Sequence, residues 1–355
     1  IYTLSLHDAL PIYQPDFMID TMMKLLAVDS PTGMTDAAVD TAAEMIREIG
    51  YDPVRTEKGG LVVDLGGSGN AIMLSAHLDT LGAMVAEIKP NGRLRVLPLG
   101  GLRVENTEAE NVRVYTRDGR VYTGTYQLYN PSIHVNLSYD TEQHTFDNME
   151  VVLDEFTSSR EETAALGLEN GEFVCFDPRP TVTERGYLKS RFLDDKLCVA
   201  ILIAYAKDLR DRGVVPARRT YLHFTVYEEV GHGGAGSVPA DVTEFLALDM
   251  GCVGEGLRCT ERNVSICAKD KHGPYSKRMV DGLVAAARRA GLDYVVDVYP
   301  RYGSDADVAL KAGYDIRHGL IGPGVYASHG YERSHIDGMN QTFDLVKAYI
   351  GERAA

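Results

Sequence analysis

The chain has 355 residues, 45% of them hydrophobic and 25% charged, which is the composition of a soluble globular protein large enough for two domains. Its 51 acidic residues outnumber its 36 basic residues, and the net charge of -15 argues against nucleic acid or a membrane as a partner and suits an enzyme that holds cations. The five cysteines contain no C-x-x-C pair, so we expect reduced thiols in a cytoplasmic protein, not a disulfide framework or a thiolate zinc site.

Residues 1–12, IYTLSLHDALPI, have neither the basic region nor the cleavage pattern of a signal peptide. The string resembles translated sequencing-adapter DNA. We therefore expect a non-native segment and exclude it from the fold.

The chain then predicts two helices followed by two strands. Apolar residues recur at a helical period over residues 16–26, and a second helix is expected over residues 36–49 with Gly50 as its C-terminal cap. Short strands are expected over residues 60–65 and 71–75, and the second strand leads into His77.

The pattern changes to β-hairpins near residue 86. Asn91-Gly92 and Asp118-Gly119 each separate apolar-alternating segments, which is the strongest short-range signal for a hairpin. Further strand-like segments cover residues 150–153 and 173–176. Residues 86–185 are therefore predicted to form an all-β insert.

Helices and strands alternate again after the insert. We expect helices over residues 195–212, 276–290 and 341–351, and strands over residues 221–227, 245–248 and 294–298. Such alternation implies an α/β fold with a mainly parallel sheet flanked by helices. The predicted organisation is one catalytic domain, made of residues 13–85 and 186–355, interrupted by the insert.

Three short polar groups lie where predicted strands end or helices begin: His77-Leu78-Asp79, Asp194-Asp195 and Glu228-Glu229. In open α/β sheets, ligands bind beyond the carboxyl ends of the strands. Each group alone also fits a simpler interpretation, because His-x-Asp can be a polar strand end, an Asp pair can cap a helix, and a Glu pair can be solvated. Adjacent buried carboxylates, however, need a cation or hydrogen bonds to compensate their charge.

Two later residues fit the same arrangement. Asp249 follows the strand predicted over residues 245–248, and His329 lies in a segment, residues 322–330, that we interpret as a loop. Nitrogen and oxygen ligands gathered from separate strand ends suit zinc, cobalt or manganese.

Taken together, these motifs resemble the M42 family of metallo-aminopeptidases over essentially the whole chain after residue 12. The residues that carry the resemblance are His77, Asp79, Asp194, Asp195, Glu228, Glu229, Gly231, Asp249 and His329. It implies a zinc-peptidase type of α/β domain and hydrolysis of the N-terminal bond of peptides that have a free N-terminus. It also implies a homo-oligomer of dimeric building blocks, often a hollow dodecamer, in which the β insert drives assembly.

The resemblance also implies a metal site with two divalent ions per subunit, zinc or cobalt or else manganese. Asp194 would bridge both metals, and His77 and Asp249 would each serve one of them, joined by Glu229 and His329.

Two further roles are implied in the same way. Glu228 would be the general base, and Asp79 would orient the His77 ring. A cis peptide bond is implied after Asp194.

The chain departs from many relatives near these motifs. Lys196 stands where Arg is common after the Asp pair, and His232 follows Glu-Glu-Val-Gly where many relatives have Arg. His329 is followed by Gly330 and not Ser, so His335 remains an alternative to His329 as the last ligand. These departures leave the preference for the N-terminal residue open, as does Gly303-Ser304-Asp305, which could line the substrate pocket.

Three other functions stay open at this stage. A metal-dependent deacylase of the same fold would act on N-acylated substrates. A glycan hydrolase would need two opposed carboxylates and usually no metal. A binding scaffold without catalysis would not need an intact metal and base set.

Overall fold

The computed structural model describes residues 15–355, and the expectation for residues 1–12 lies outside the described residues. The helices in this range are α1 (Pro15–Leu26), α2 (Asp36–Ile49), α3 (Arg160–Ala165), α4 (Leu193–Asp211), α5 (Lys277–Ala290), α6 (Asp305–Lys311) and α7 (Ile336–Ile350). The strands are β1 (Val54–Arg55), β2 (Leu61–Asp64), β3 (Ser68–His77), β4 (Gly82–Ile88), β5 (Leu94–Leu99), β6 (Glu110–Tyr115), β7 (Val121–Leu128), β8 (Met149–Leu153), β9 (Phe173–Phe176), β10 (Thr181–Val182), β11 (Tyr187–Ser190), β12 (Val214–Pro216), β13 (Arg218–Thr225), β14 (Val242–Leu248), β15 (Gly251–Val253), β16 (Val264–Lys269), β17 (Tyr294–Val298), β18 (Arg317–Tyr326), β19 (Glu332–His335) and β20 (Glu352–Ala354).

A twelve-stranded mixed sheet forms the centre of the molecule. Its four middle strands, in the order β13, β3, β14 and β18, are parallel, whereas β2 and β19 join at the two sides as antiparallel neighbours. In β3 every residue from Ala71 to His77 is buried, as expected for a parallel strand covered on both faces. The sequence prediction of parallel strands therefore holds for the middle of the sheet.

Helices cover both faces of this sheet. The long helix α4 packs on β3 and is itself covered by α1, α2 and α7, so that residues 197–206 are all buried. Leu74 of β3 belongs to this side, while Met73 points to the opposite face and joins a second cluster with Ala306 of α6. No helix in residues 15–355 is both long enough and apolar enough to cross a membrane.

A closed six-stranded barrel is formed by strands from the segment between β3 and α4. Its strands follow the order β4, β5, β8, β7, β6 and β9. Both hairpin predictions are confirmed, because Asn91-Gly92 joins β4 to β5 and Asp118-Gly119 joins β6 to β7. The segment also contains the helix α3, and its first strand begins at Gly82, before the predicted boundary at residue 86.

The largest error in the predicted elements concerns β18, because part of it was interpreted as a loop. Gly322, Pro323 and Gly324 are turn-forming residue types, yet all three lie inside the strand. A Cβ atom at Gly322 would collide with the carbonyl oxygen of Asp249, and one at Gly324 would collide with that of Thr260. These glycines therefore allow a close approach of neighbouring backbone, a use that a single sequence does not distinguish from a turn.

Candidate active site

The carboxyl-terminal edge of the parallel strands collects the polar groups that the sequence singled out. His77 is the last residue of β3 and lies beside Thr225, the last residue of β13. Asp249 directly follows β14. The topology therefore brings together residues that are far apart in the chain.

His77 is buried and points into a group of carboxylates. Its Nε2 atom lies 3.1 Å from Oδ1 of Asp194 and 3.8 Å from Oε2 of Glu228. Its Nδ1 atom lies 2.9 Å from the carbonyl oxygen of Asp79, which can only accept a hydrogen bond, so Nδ1 carries a proton and Nε2 is the atom that would bind a metal ion. Burial opposes a charged ring, but the Asp194 hydrogen bond and the nearby carboxylates raise the pKa of His77 well above its usual value.

The Asp79 carboxylate has a different position from the one expected. Its Oδ1 lies 3.7 Å from Nδ1 of His77, whereas it accepts hydrogen bonds from the backbone N–H of Glu228 at 3.1 Å and of Glu229 at 3.3 Å. Thr32 Oγ1 also donates to it at 2.6 Å. Asp79 thus orients the imidazole through its backbone carbonyl and holds the glutamate turn through its side chain.

Glu228 and Glu229 lie on a short 3₁₀ turn after β13, where the sequence predicted a longer strand. The residues on either side of the turn, Tyr227 and Gly231, have positive φ values of 69° and 77°. At Gly231 this conformation costs little, and the turn directs both glutamates toward His77 and Asp194.

Asp194 and Asp195 begin α4 with backbone angles that are not helical, and the peptide bond between them is cis, as the family resemblance implies. Besides its contact with His77, Asp194 has Oδ2 at 3.6 Å from Nε2 of His329. Asp195 accepts a hydrogen bond from the backbone N–H of His77 at 3.0 Å. The pair therefore does more than cap the helix.

Of the two candidate histidines, His329 is the one near the cluster. Its Nε2 atom lies 3.6 Å from Asp194 and 3.7 Å from Oε2 of Glu229. His335 instead caps α7, because its Nδ1 accepts from the Asp337 N–H at 3.0 Å and its Nε2 contacts the Arg185 carbonyl at 2.7 Å.

Glu332 holds the two segments that carry Asp194 and His329. This buried side chain accepts a hydrogen bond from the Asp194 N–H at 3.0 Å and from the His329 N–H at 3.1 Å. The sequence alone indicates no role for Glu332 or Asp195, because side chains that accept hydrogen bonds from backbone N–H groups have no sequence signature. The adjacency of Asp195 to Asp194 was the only signal available.

Two groups of side chains are arranged as metal ligands. The first consists of His77, Asp195 and Asp249, and the second of His77, Asp194 and Glu229, with the ligand atoms of each group within 4.8 Å of one another. Across residues 15–355, these carboxylates and Glu228 form no ion pair with Lys or Arg.

The electrostatics of the cluster indicate a deficit of positive charge. Burial, together with neighbouring carboxylates, raises the pKa of Asp195, Glu228, Glu229 and Asp249 well above the usual values. Asp194 is the exception: burial opposes its ionisation, but the His77 hydrogen bond, together with the charges of His77 and His329, lowers its pKa. Oxygen and imidazole donors short of a cation fit divalent metal ions.

A cavity of about 1100 Å³ opens beside the cluster. Asp194, Glu228, Glu229, Asp249 and His329 contribute to its lining. The loops that follow β16 and β17 contribute further residues, among them Gly303 and Ser304 from the motif that the sequence proposed as a pocket lining. The third residue of that motif, Asp305, is buried and accepts from Thr225 Oγ1 at 2.5 Å.

Comparison with known proteins gives consistent results. Residues 59–345 match the family described as M42 glutamyl aminopeptidase. The putative aminopeptidase YhfE of Bacillus subtilis (strain 168) is 40% identical over 334 residues, which cover 94% of this chain and 96% of the relative. The lysyl aminopeptidase of Pyrococcus furiosus is 28% identical over 242 residues, which cover 66% of this chain and 67% of the relative.

Among solved structures, the Pyrococcus horikoshii TET1 peptidase has the same fold, with a TM-score of 0.83, 22% identity, and coverage of 94% of this chain and 99% of that chain. The family match spans most of the sequence and includes every ligand candidate described above. The chain therefore belongs to the M42 family of aminopeptidases, which are hydrolases of peptide bonds.

Proposed function

We propose that this protein is an aminopeptidase that removes N-terminal residues from peptides with the help of two divalent metal ions, zinc, cobalt or manganese. The single observation that carries the proposal is the cluster of carboxylates around His77, which contributes to the cavity lining and has no Lys or Arg ion-pair partner among residues 15–355. Family membership supports the reaction class.

Asp194 would bridge the two ions, a role supported by the direction of its oxygens, because Oδ1 faces His77 and Oδ2 faces His329. On this basis His77 and Asp249 would help to hold one ion, and Glu229 and His329 the other. Asp195, which belongs to one of the two ligand groups, adds negative charge next to His77. Bound divalent ions would polarise the scissile carbonyl and lower the pKa of a water molecule.

Glu228 is the carboxylate best placed to act as general base. It lines the cavity, and its Oε2 lies near His77. The Asp79 carboxylate, in contrast, accepts a hydrogen bond from the backbone N–H of Glu228. The Glu228 carboxylate would take a proton from the attacking water and return it to the leaving amine. Asp79 would keep this glutamate in place through the bonds to the turn, a positioning role in addition to the orientation of His77.

The acidic character of the cluster suits the free α-amino group of a peptide. An ammonium group is attracted to buried carboxylates, whereas an N-acyl group is not. This argument favours an aminopeptidase over a deacylase of the same fold. The names of the relatives include both glutamyl and lysyl activities, so family membership alone leaves the preferred N-terminal residue open.

The domain organisation and assembly belong to the same proposal. Residues 13–85 and 186–355 would form the catalytic domain, and residues 86–185, which supply most of the barrel, would mediate assembly into a homo-oligomer. The TET1 peptidase of Pyrococcus horikoshii can assemble into a tetrahedron or a large octahedral shell, which supports homo-oligomerisation here. Five free cysteines support a cytoplasmic location.

The test is hydrolysis of a panel of aminoacyl-p-nitroanilides by the metal-free protein and by protein loaded with zinc, cobalt or manganese. We expect metal-dependent release, and we expect Glu228→Gln to lose about 100-fold or more of the rate while it binds the same amount of metal. Wild-type rates in a fully loaded Glu228→Gln protein would exclude Glu228 as the base. Cleavage of N-acylated substrates alone would replace the aminopeptidase with a deacylase.

A further inference from the structure

The connection between β5 and β6 belongs to the proposed insert, yet it reaches the acidic cluster of the catalytic domain. Residues 100–107, which we call the insert loop, follow β5 and contain a short 3₁₀ turn, Val104–Asn106. Gly100 at the start of the loop lines the same cavity as the candidate metal ligands. A role of the insert in assembly does not account for this position.

The side chain of Asn106 holds the backbone of His329. Its Nδ2 atom donates a hydrogen bond to the His329 carbonyl oxygen at 3.1 Å, while the His329 N–H donates to Glu332 on the other side of the residue. His329 has a φ value of 61°, in the left-handed region that residues other than glycine seldom adopt. Such a conformation persists only where the surrounding contacts fix it, and the insert loop supplies one of these contacts.

The two glycines of the insert loop pack closely against two candidate ligands. A Cβ atom at Gly101 would lie 2.4 Å from Nδ1 of His329, so a side chain there would displace the imidazole ring. A Cβ atom at Gly100 would lie 3.2 Å from Cβ of Glu229. The absence of side chains at these positions allows Nε2 of His329 to lie 3.7 Å from Oε2 of Glu229.

The insert loop is anchored in the interior of the protein. Leu102 and Val104 are buried in the main hydrophobic core. The guanidinium group of the buried Arg191, shortly before Asp194 in the chain, donates a hydrogen bond to the backbone carbonyl of Asn106. The loop therefore offers the ligands a fixed support.

We propose that the insert loop positions Glu229 and His329 as ligands of one metal ion, so that the insert contributes to the metal site as well as to assembly. This inference rests on the proposed function, which assigns these two residues to the same ion. Asn106 and Gly101 are positioning residues, because each acts on the ion through His329. Their loss should weaken the binding of this ion and leave the other ion in place.

The experiment titrates metal-free protein with Co²⁺ and records the heat of binding and the visible absorption spectrum of the bound ions. Neither readout depends on catalysis. Asn106→Ala removes the donor to His329 but keeps the backbone carbonyl that Arg191 contacts. Gly101→Ala adds only a methyl group, and the atoms that this group meets belong to the His329 ring.

Each variant has a matched control. Asn136→Ala removes the same type of hydrogen bond within the insert, because Asn136 Nδ2 donates to the Asn130 carbonyl at 2.9 Å. Gly254→Ala adds the same methyl group at a position where a Cβ atom would have no other atom within 4 Å. Both controls should bind Co²⁺ like the wild type.

We expect the wild type to bind two Co²⁺ ions per chain. The affinity for one of them should fall by about tenfold or more in Asn106→Ala and in Gly101→Ala, the usual size for the loss of an outer contact to a metal ligand. The spectrum of the ion that remains bound should be unchanged. Without metal, both variants should unfold at the wild-type temperature.

Wild-type affinity for both ions in Asn106→Ala and Gly101→Ala would overturn the inference and leave the aminopeptidase intact. Equal weakening of both ions would also overturn it, because the inference assigns the loop to one ion. The two variants act on His329 in independent ways, so either one decides the question if the other does not fold. A wild-type protein that binds fewer than two ions would remove the two-metal function on which the inference rests.

Discussion

Each edge of the parallel sheet contains a buried acidic residue, and the pKa values of the two residues are shifted in opposite directions. Glu244 and Asp249 lie at opposite ends of β14 and are almost equally exposed, at 6% and 5%. At the amino-terminal edge, Glu244 accepts hydrogen bonds from Arg218 at 2.6 Å and from Arg317 at 3.1 Å, which lower its pKa although burial opposes the shift. At the carboxyl-terminal edge, burial and the Asp194 charge raise the pKa of Asp249 well above its usual value.

This difference shows that burial alone does not identify a functional carboxylate. A buried charge is costly unless something compensates it, and the chain itself supplies two guanidinium groups to Glu244. For Asp249 and its neighbours, none of the ion pairs in residues 15–355 involves Lys or Arg, and the proposed function assigns the compensation to bound cations. The contrast separates an edge whose buried acid has arginine partners from the edge that we propose to be catalytic.

Removal of divalent metal should have the largest effect on this contrast. With zinc at about 1000 times its Kd, binding to the folded state adds about 4 kcal/mol, which corresponds to about 5 °C in Tm for a chain of this length. Calorimetric unfolding of metal-free and zinc-loaded protein measures the difference. We expect Asp249→Asn to lose much of the gain, and equal Tm values for metal-free and loaded wild-type protein would contradict a compensating role of the metal.

A smaller effect is expected for Glu332→Gln. Glutamine keeps one acceptor oxygen but presents an NH₂ group to the other backbone N–H, so either the Asp194 or the His329 segment loses its partner. Loss of such an outer hydrogen bond typically weakens metal binding by about 10–100-fold. Isothermal titration with zinc measures the affinity directly and does not depend on catalysis.

The control for this prediction is Glu261→Gln. Glu261 pairs with Arg333, next to Glu332 in sequence, but contributes no bond to the ligand segments. We expect this variant to bind zinc like the wild type. An unchanged affinity in a correctly folded Glu332→Gln protein would mean that Glu332 does not position the ligands.

The contrast between the edges also explains how much the sequence could predict. The residues at the carboxyl-terminal edge stand in short motifs such as His77-x-Asp79 and Glu228-Glu229, so their types and spacing could be recognised as a group. In the three-dimensional structure these residues lie together, His329 lies near them, and His335 lies elsewhere.

What the sequence could not predict depends on backbone contacts. The strand β18 was interpreted in part as a loop because its glycines serve close packing and not turns. The helix α6 was missed because it has only seven residues, and α7 was predicted to start at residue 341 although it starts at Ile336. The side chains of Asp79 and Glu332 accept hydrogen bonds from backbone N–H groups. Every residue except proline has such a group, so no residue pattern reveals these contacts.

The smallest effect is expected at the amino-terminal edge, for Glu244→Gln. Its two arginine partners keep side-chain exposures of 22% and 35%, so water can solvate them after the change, and the loss should be about 1–2 kcal/mol instead of the 3–5 kcal/mol typical of fully buried pairs. Because folding lowers the pKa of Glu244, its contribution is present above the unfolded pKa of about 4.3 and is lost as the pH falls. Urea unfolding at pH 7 and at about pH 3.5 should therefore show a difference in unfolding free energy between wild type and variant that narrows in acid.

The control is Asp241→Asn, which removes an exposed carboxylate 3.6 Å from Arg219 and should change stability by less than about 0.5 kcal/mol. If the two edges are independent, zinc affinity should stay at the wild-type value in both variants. A loss of zinc binding in Glu244→Gln would show that the edges are coupled through β14.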